Sequence, residues 1–144
     1  MSDRGLFIRL SVQPNRDSLA RLEALLRAGW RPDDHGLIQF LPLGDDGDYS
    51  WRQAPAGDLA HVMNEVREKE ERAETVGIVL TFEDTMIGGE WLFFPGDEVV
   101  FTPSLNRRVS GNHSDVGWYL ERVLSAFDDG EGLQVESWRW EESV

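Results

Sequence analysis

Hydrophobic and polar positions alternate at the start of the chain: Leu6, Ile8, Leu10 and Val12 share one parity, the period-2 signature of a half-buried strand. Pro14 breaks that strand, and Asn15 offers an N-cap for a helix whose apolar stripe is Leu19, Leu22, Leu25 and Leu26, with Gly29 as its stop. Gly36 to Leu43 (GLIQFLPL) reads as a second strand, bounded by Pro32-Asp33-Asp34 before it and by the acidic, Gly-rich segment Gly44–Asp48 after it. A second helix begins near Pro55 or Asp58, with Leu59, Val62, Met63 and Val66 at the i, i+3, i+4, i+7 spacing of a buried stripe. From Glu65 that helix turns almost wholly charged. Glu65–Lys69, Arg67–Glu71 and Glu68–Arg72 are i, i+4 pairs of opposite sign, the pattern of a solvated helix end.

Val76 to Phe82 is almost continuously apolar, as a central strand covered on both faces would be. Gly88-Gly89 reads as a turn into a strand over Glu90–Phe94, and Pro95-Gly96-Asp97 as a turn into a further strand over Val99–Thr102. Leu105 to Gly111 reads as a loop, with Asn112 or Ser114 capping a third helix. Its apolar face is Val116, Tyr119, Leu120, Val123, Leu124 and Phe127. A last strand runs from Leu133 to Trp140. The order β-α-β-α-β-β-β-α-β predicts a single α+β domain over residues 1–144, with helices packed on a mixed or antiparallel sheet.

Twenty-seven acids against fourteen bases leave a formal net charge of −13 on 144 residues. That excess disfavours direct binding to nucleic acid or to an anionic membrane and favours a basic protein partner. The bases are thirteen arginines and one lysine, Lys69. Cysteine is absent, which removes disulfides, thiolate nucleophiles and Cys-ligated zinc from consideration. The beginning of the chain lacks the basic and apolar regions of a signal peptide, and no apolar run approaches a membrane span, so a cytoplasmic location is expected.

The residues able to carry chemistry point away from catalysis. His35, His61 and His113 are scattered, with no His-x-x-x-His or Glu-x-x-His pair to seat a metal. Neither a nucleophile elbow nor a phosphate-binding glycine loop is present. Asp45-Asp46-Gly47-Asp48 lacks the ligand spacing of a calcium loop and reads as an acidic turn. No cofactor and no metal are expected. A small hydrolase or ligand-binding enzyme would have to gather His61 or His113 with Glu83, Asp84 or Glu90 in one pocket. Arg107-Arg108, the only bases between Arg72 and Arg122, are expected to neutralise neighbouring carboxylates.

Acids and tryptophans concentrate in two stretches. Residues 33–58 carry six acids and one Arg, and residues 128–144 carry six acids and one Arg. Trp138 and Trp140 share a parity opposite to Leu133 and Val135, so either a bulge switches the buried face between them or both indoles lie on the polar face. Converging loops would build a surface from Asp45, Asp46, Asp48, Trp51, Asp128, Asp129, Glu131, Trp138, Trp140, Glu141 and Glu142, suited to steering onto a basic protein and anchoring there through aromatic contacts.

In size, acidity, lack of cysteine and small α+β layout, the whole chain resembles immunity proteins of bacterial toxin systems. The resemblance implies an inhibitor that covers the active site of a basic toxin or effector. An acidic nucleic-acid mimic that blocks a DNA-binding protein is the other binding role compatible with the charge, and would space its carboxylates like phosphates along one face.

Overall fold

A computed structural model describes residues 6–13, 18–128 and 133–142. Its elements are β1 (Phe7–Gln13), α1 (Ser18–Arg27), β2 (Trp30–Arg31), β3 (Leu37–Phe40), β4 (Arg52–Pro55), α2 (Leu59–Glu71), β5 (Val76–Phe82), β6 (Gly88–Phe93), β7 (Glu98–Leu105), β8 (Val109–Ser110), β9 (His113–Ser114), α3 (Val116–Phe127) and β10 (Gln134–Glu141). A turn of 3₁₀ helix, Ala56–Asp58, leads into α2. The expected Asn15 cap falls outside the described residues.

The α+β class and the order of the principal elements follow the hydrophobic pattern. Eight strands form one antiparallel sheet in the order β10-β1-β7-β6-β5-β3-β4, with β2 also paired to β5. The first strand is thus an interior strand, held between the last strand and β7. Its fully buried Ile8, Leu10 and Val12 lie on the face covered by the helices, together with Trp91 and Phe93 of β6 and Val99 and Phe101 of β7. Leu22 and Leu25 of α1, Val62 and Val66 of α2, and Tyr119, Val123 and Phe127 of α3 close the core from above.

Its centre is aromatic. The Trp30 ring meets Trp91 at 5.2 Å and Phe101 at 5.5 Å edge-on, and Trp91 stacks on Phe101 at 4.5 Å. Such pairs contribute about 0.5–1.5 kcal/mol beyond the area they bury. β5 is covered on both faces as its apolar run implies. Val76, Ile78 and Leu80 face the helices, while on the other side Leu41 and Trp51 occupy the space above Gly77.

Three local expectations need correction. Gly88-Gly89 is not the turn between β5 and β6; that turn is Glu83–Ile87, with Glu83 and Met86 at positive φ and the Phe82 amide donating to the Ile87 carbonyl. The two glycines open β6 opposite a bulge in β7, where a Cβ would stand 1.9 Å from the carbonyl oxygen of Leu80 (from Gly88) or of Thr102 (from Gly89). The loop before α3 contains the two-stranded β8–β9 hairpin. The cap of α3 is Asp115, whose carboxylate accepts from the Trp118 amide at 3.3 Å, and not Asn112 or Ser114.

Candidate partner-binding surface

In the acidic loop between β3 and β4 one carboxylate, Asp45, turns inward, while Asp46 and Asp48 stay exposed. Asp45 is buried: one oxygen accepts from the amides of Asp48 (3.1 Å) and Tyr49 (3.0 Å), and the other from that of Ser50 (2.7 Å). Burial raises its pKa, but those three amides and the Lys69 charge more than offset burial and hold the carboxyl below its ordinary value. Asp46 accepts from the Thr75 amide at 2.9 Å, in front of β5. Glu65 and Glu74 reach across to the amides of Leu43 and Gly44, each at 2.9 Å.

Beneath them lies Lys69, fully buried. Its ammonium donates to the carbonyls of Pro42 (2.9 Å) and Asp45 (2.6 Å), with Glu74 at 3.4 Å. Lys69 therefore departs from the solvated helix end expected of its neighbours, and Glu65 pairs with His61 at 3.1 Å instead. Of the loop residues expected to bind a partner, Asp46 and Asp48 are exposed, while Trp51 is half-buried over Gly77.

The last strand presents its residues differently. Ser11 pairs with Ser137 and Val12 with Val135, so Glu136 is the extra residue of a bulge. The bulge restores one buried parity: Trp138 stands opposite Leu10 and Trp140 opposite Ile8, on the helix-covered face. There the two indoles part company. Trp140 packs against Tyr119 (5.7 Å) and its Nε1 donates to Glu142 at 3.2 Å, whereas Trp138 is 48% exposed.

Carboxylates hold both ends of β10. Asp128 accepts from the Val135 amide at 3.0 Å. Glu142 accepts from the Ser114 amide at 3.0 Å and pairs with Arg107 at 3.2 Å, which ties the strand to the β8–β9 hairpin. Burial raises the Glu142 pKa, but the Ser114 amide, the Trp140 indole, the Ser114 hydroxyl and Arg107 together bring it below the ordinary value. Arg108 pairs with Asp115 at 3.0 Å, so both arginines of the pair neutralise carboxylates of the fold. Glu141 is engaged by Arg139 at 2.7 Å, and Asp129 and Glu131 lie outside the described residues.

The two acidic stretches are separated by the strand order. β10 and β5 are four inter-strand steps apart, roughly 19 Å at the usual spacing. Trp51 sits on the face of the sheet opposite the helices and Trp138 on the helix-covered face. The expected residues thus fall into two places, a loop whose Asp45 and Asp46 are engaged by amides and an exposed sheet edge. What residue order could not reveal was Lys69, and the lone lysine among thirteen arginines was the only local sign of it.

A cleft of about 330 Å³ opens where β10, β1 and β7 meet, with Arg9, Ser11, Asp97, Glu98, Ser137 and Arg139 in its wall. Arg9 pairs with Glu98, and the Ser11 hydroxyl donates to Asp97 at 2.7 Å. None of the histidines and carboxylates required for the hydrolase grouping lines it. Among the described residues, no group of three or more His, Asp or Glu side chains is placed to hold a metal ion, and no helix is long and apolar enough to cross a membrane. Comparison with protein-family models, curated proteins and solved structures yields no match.

Proposed function

We propose that this chain is an acidic protein-binding domain of the immunity type, which neutralises a basic toxin or effector by occluding it. The observation that supports this reading is Trp138, 48% exposed on the terminal strand of the sheet in a chain of net charge −13. A half-exposed indole beside uncompensated negative charge has the two properties of a partner anchor: a large apolar area to desolvate and a field that steers a basic protein toward it. Asp128, at the end of α3, and Glu136, within β10, are both exposed and without an ion-pair partner among the described residues, and add negative charge at the start of the same strand.

Affinity capture at low and high salt, followed by co-expression of the captured protein with and without this chain, tests the reading. A stoichiometric basic partner whose toxicity the chain suppresses, and whose retention falls in Trp138→Ala, is the expected result. A partner bound equally well by Trp138→Ala, or no growth protection, would count against it.

A further inference from the structure

The proposed function leaves open how a partner would be held, and the backbone of β10 supplies an answer. β10 ends the sheet, and β1 is its only hydrogen-bonded neighbour among the described strands. An edge strand presents a row of unpaired N–H and C=O groups, and native proteins blunt such edges by shortening them or by placing proline in them. The opposite edge follows that practice: β4 is four residues long and ends in Pro55. β10 is eight residues long without a proline; its bulge is confined to Glu136 near its start, and the charges farther along, Arg139 and Glu141, pair with each other at 2.7 Å.

The edge is also held in place. Asp128 fastens the Val135 amide and Glu142 fastens the other end to Ser114 and Arg107, so Ser137–Glu141 lies between two fixed points. A docking segment would not have to pay the entropy of ordering it. Within this stretch, on the helix-covered face, Trp138 has half its surface unused.

Charge decides between occupants. A second copy would bring another −13 to the same edge, next to Asp128 and Glu136. A basic segment brings the complementary charge. We infer that Ser137–Glu141 accepts an extended, basic segment of the partner as an added strand, with an apolar side chain of that segment against Trp138. Strand addition of this kind draws affinity from main-chain hydrogen bonds and specificity from alternate side chains. The inference rests on the protein-binding reading.

The test uses the full chain and a short synthetic peptide of alternating lysine and valine with blocked ends. Two further versions carry backbone N-methyl groups on one or the other parity, which removes the donors from one edge of the peptide at a time. Hydrogen exchange of the chain's amides is followed by NMR. The expected result is slowing of exchange within Ser137–Glu141 by about tenfold or more, retained by one methylated peptide and lost with the other. Equal binding by all three peptides, protection elsewhere than β10, absence of binding, or concentration-dependent self-association that protects β10 without peptide would each overturn strand addition. If Trp138→Ala releases the natural partner while that partner leaves the β10 amides unprotected, the protein-binding reading survives and strand addition alone fails.

Discussion

The Lys69 ammonium stands 2.6 Å from the carbonyl oxygen of Asp45, which makes the chain's one lysine the internal counter-charge of its most acidic loop. Two carbonyls and Glu74 surround a cation that has no contact with solvent. Lys69→Met removes the charge at similar volume and leaves those acceptors without their donor. A loss of about 3 kcal/mol is expected, measured by urea unfolding, together with a red shift of Trp51 emission as the loop releases. A loss below about 1 kcal/mol would mean that the loop holds itself.

The close approach of β6 to both neighbouring strands, opposite the bulge in β7, makes a steric prediction. Gly88→Ala would drive a methyl group into the Leu80 carbonyl, and Gly89→Ala into the Thr102 carbonyl, each 1.9 Å from the ideal Cβ position. Backbone atoms cannot swing aside as a side chain can, so each variant should lose about 3 kcal/mol or fail to fold. Gly57→Ala, with nothing within 4 Å, should stay within about 0.5 kcal/mol in the same thermal melt.

Acid should release the end of β10. The Glu142 carboxyl is held below its ordinary value of 4.5, so the folded state favours the ionised form more than the unfolded state does. Its contribution is fully present above about pH 4.5 and is lost as pH falls through the depressed folded value. Lowering the pH also relieves the repulsion of a −13 chain, which pulls the other way. Glu142→Gln isolates the local effect: less stable than the parent by about 1–2 kcal/mol at neutral pH, with the difference shrinking toward zero in acid. A constant difference across the titration would show that the carboxylate charge contributes nothing.

The two terminal tryptophans should separate stability from binding. Trp140→Ala removes a ring packed on Tyr119 and an indole donor to Glu142, and should cost about 2–3 kcal/mol of folding free energy. Trp138→Ala should cost less than about 1 kcal/mol in the same denaturation assay yet weaken partner binding about tenfold or more by calorimetry. Equal effects on folding would place both rings in the core.

The stripes of α1, α2 and α3 and the alternation in β1 were legible because burial of a helix or strand face imposes a period on residues adjacent in sequence. β2, β4, β8 and β9, two to four residues each, were not. Segments so short have no period, and the ladder that defines them belongs to the strands they meet. Gly88-Gly89 was misread for a related reason: a glycine pair signals close backbone approach in a bulge and in a turn alike, and only the neighbouring strands distinguish them.

The candidate surface divides along the same line. Residue order alone determined that the chain is acidic, free of cysteine, built of helices on a sheet, and ends in a strand bearing two tryptophans. It could not tell which carboxylates remain available to a partner. Asp45 is held by amides of its own turn, but Asp46 and Glu142 answer to amides almost thirty residues away, and Lys69 to carbonyls more than twenty residues away. Hydrophobic period is a local property of the chain, whereas the pairing of buried polar groups is settled only when distant segments meet. That pairing closes the acidic loop on itself and leaves Trp138 at the open edge of the sheet.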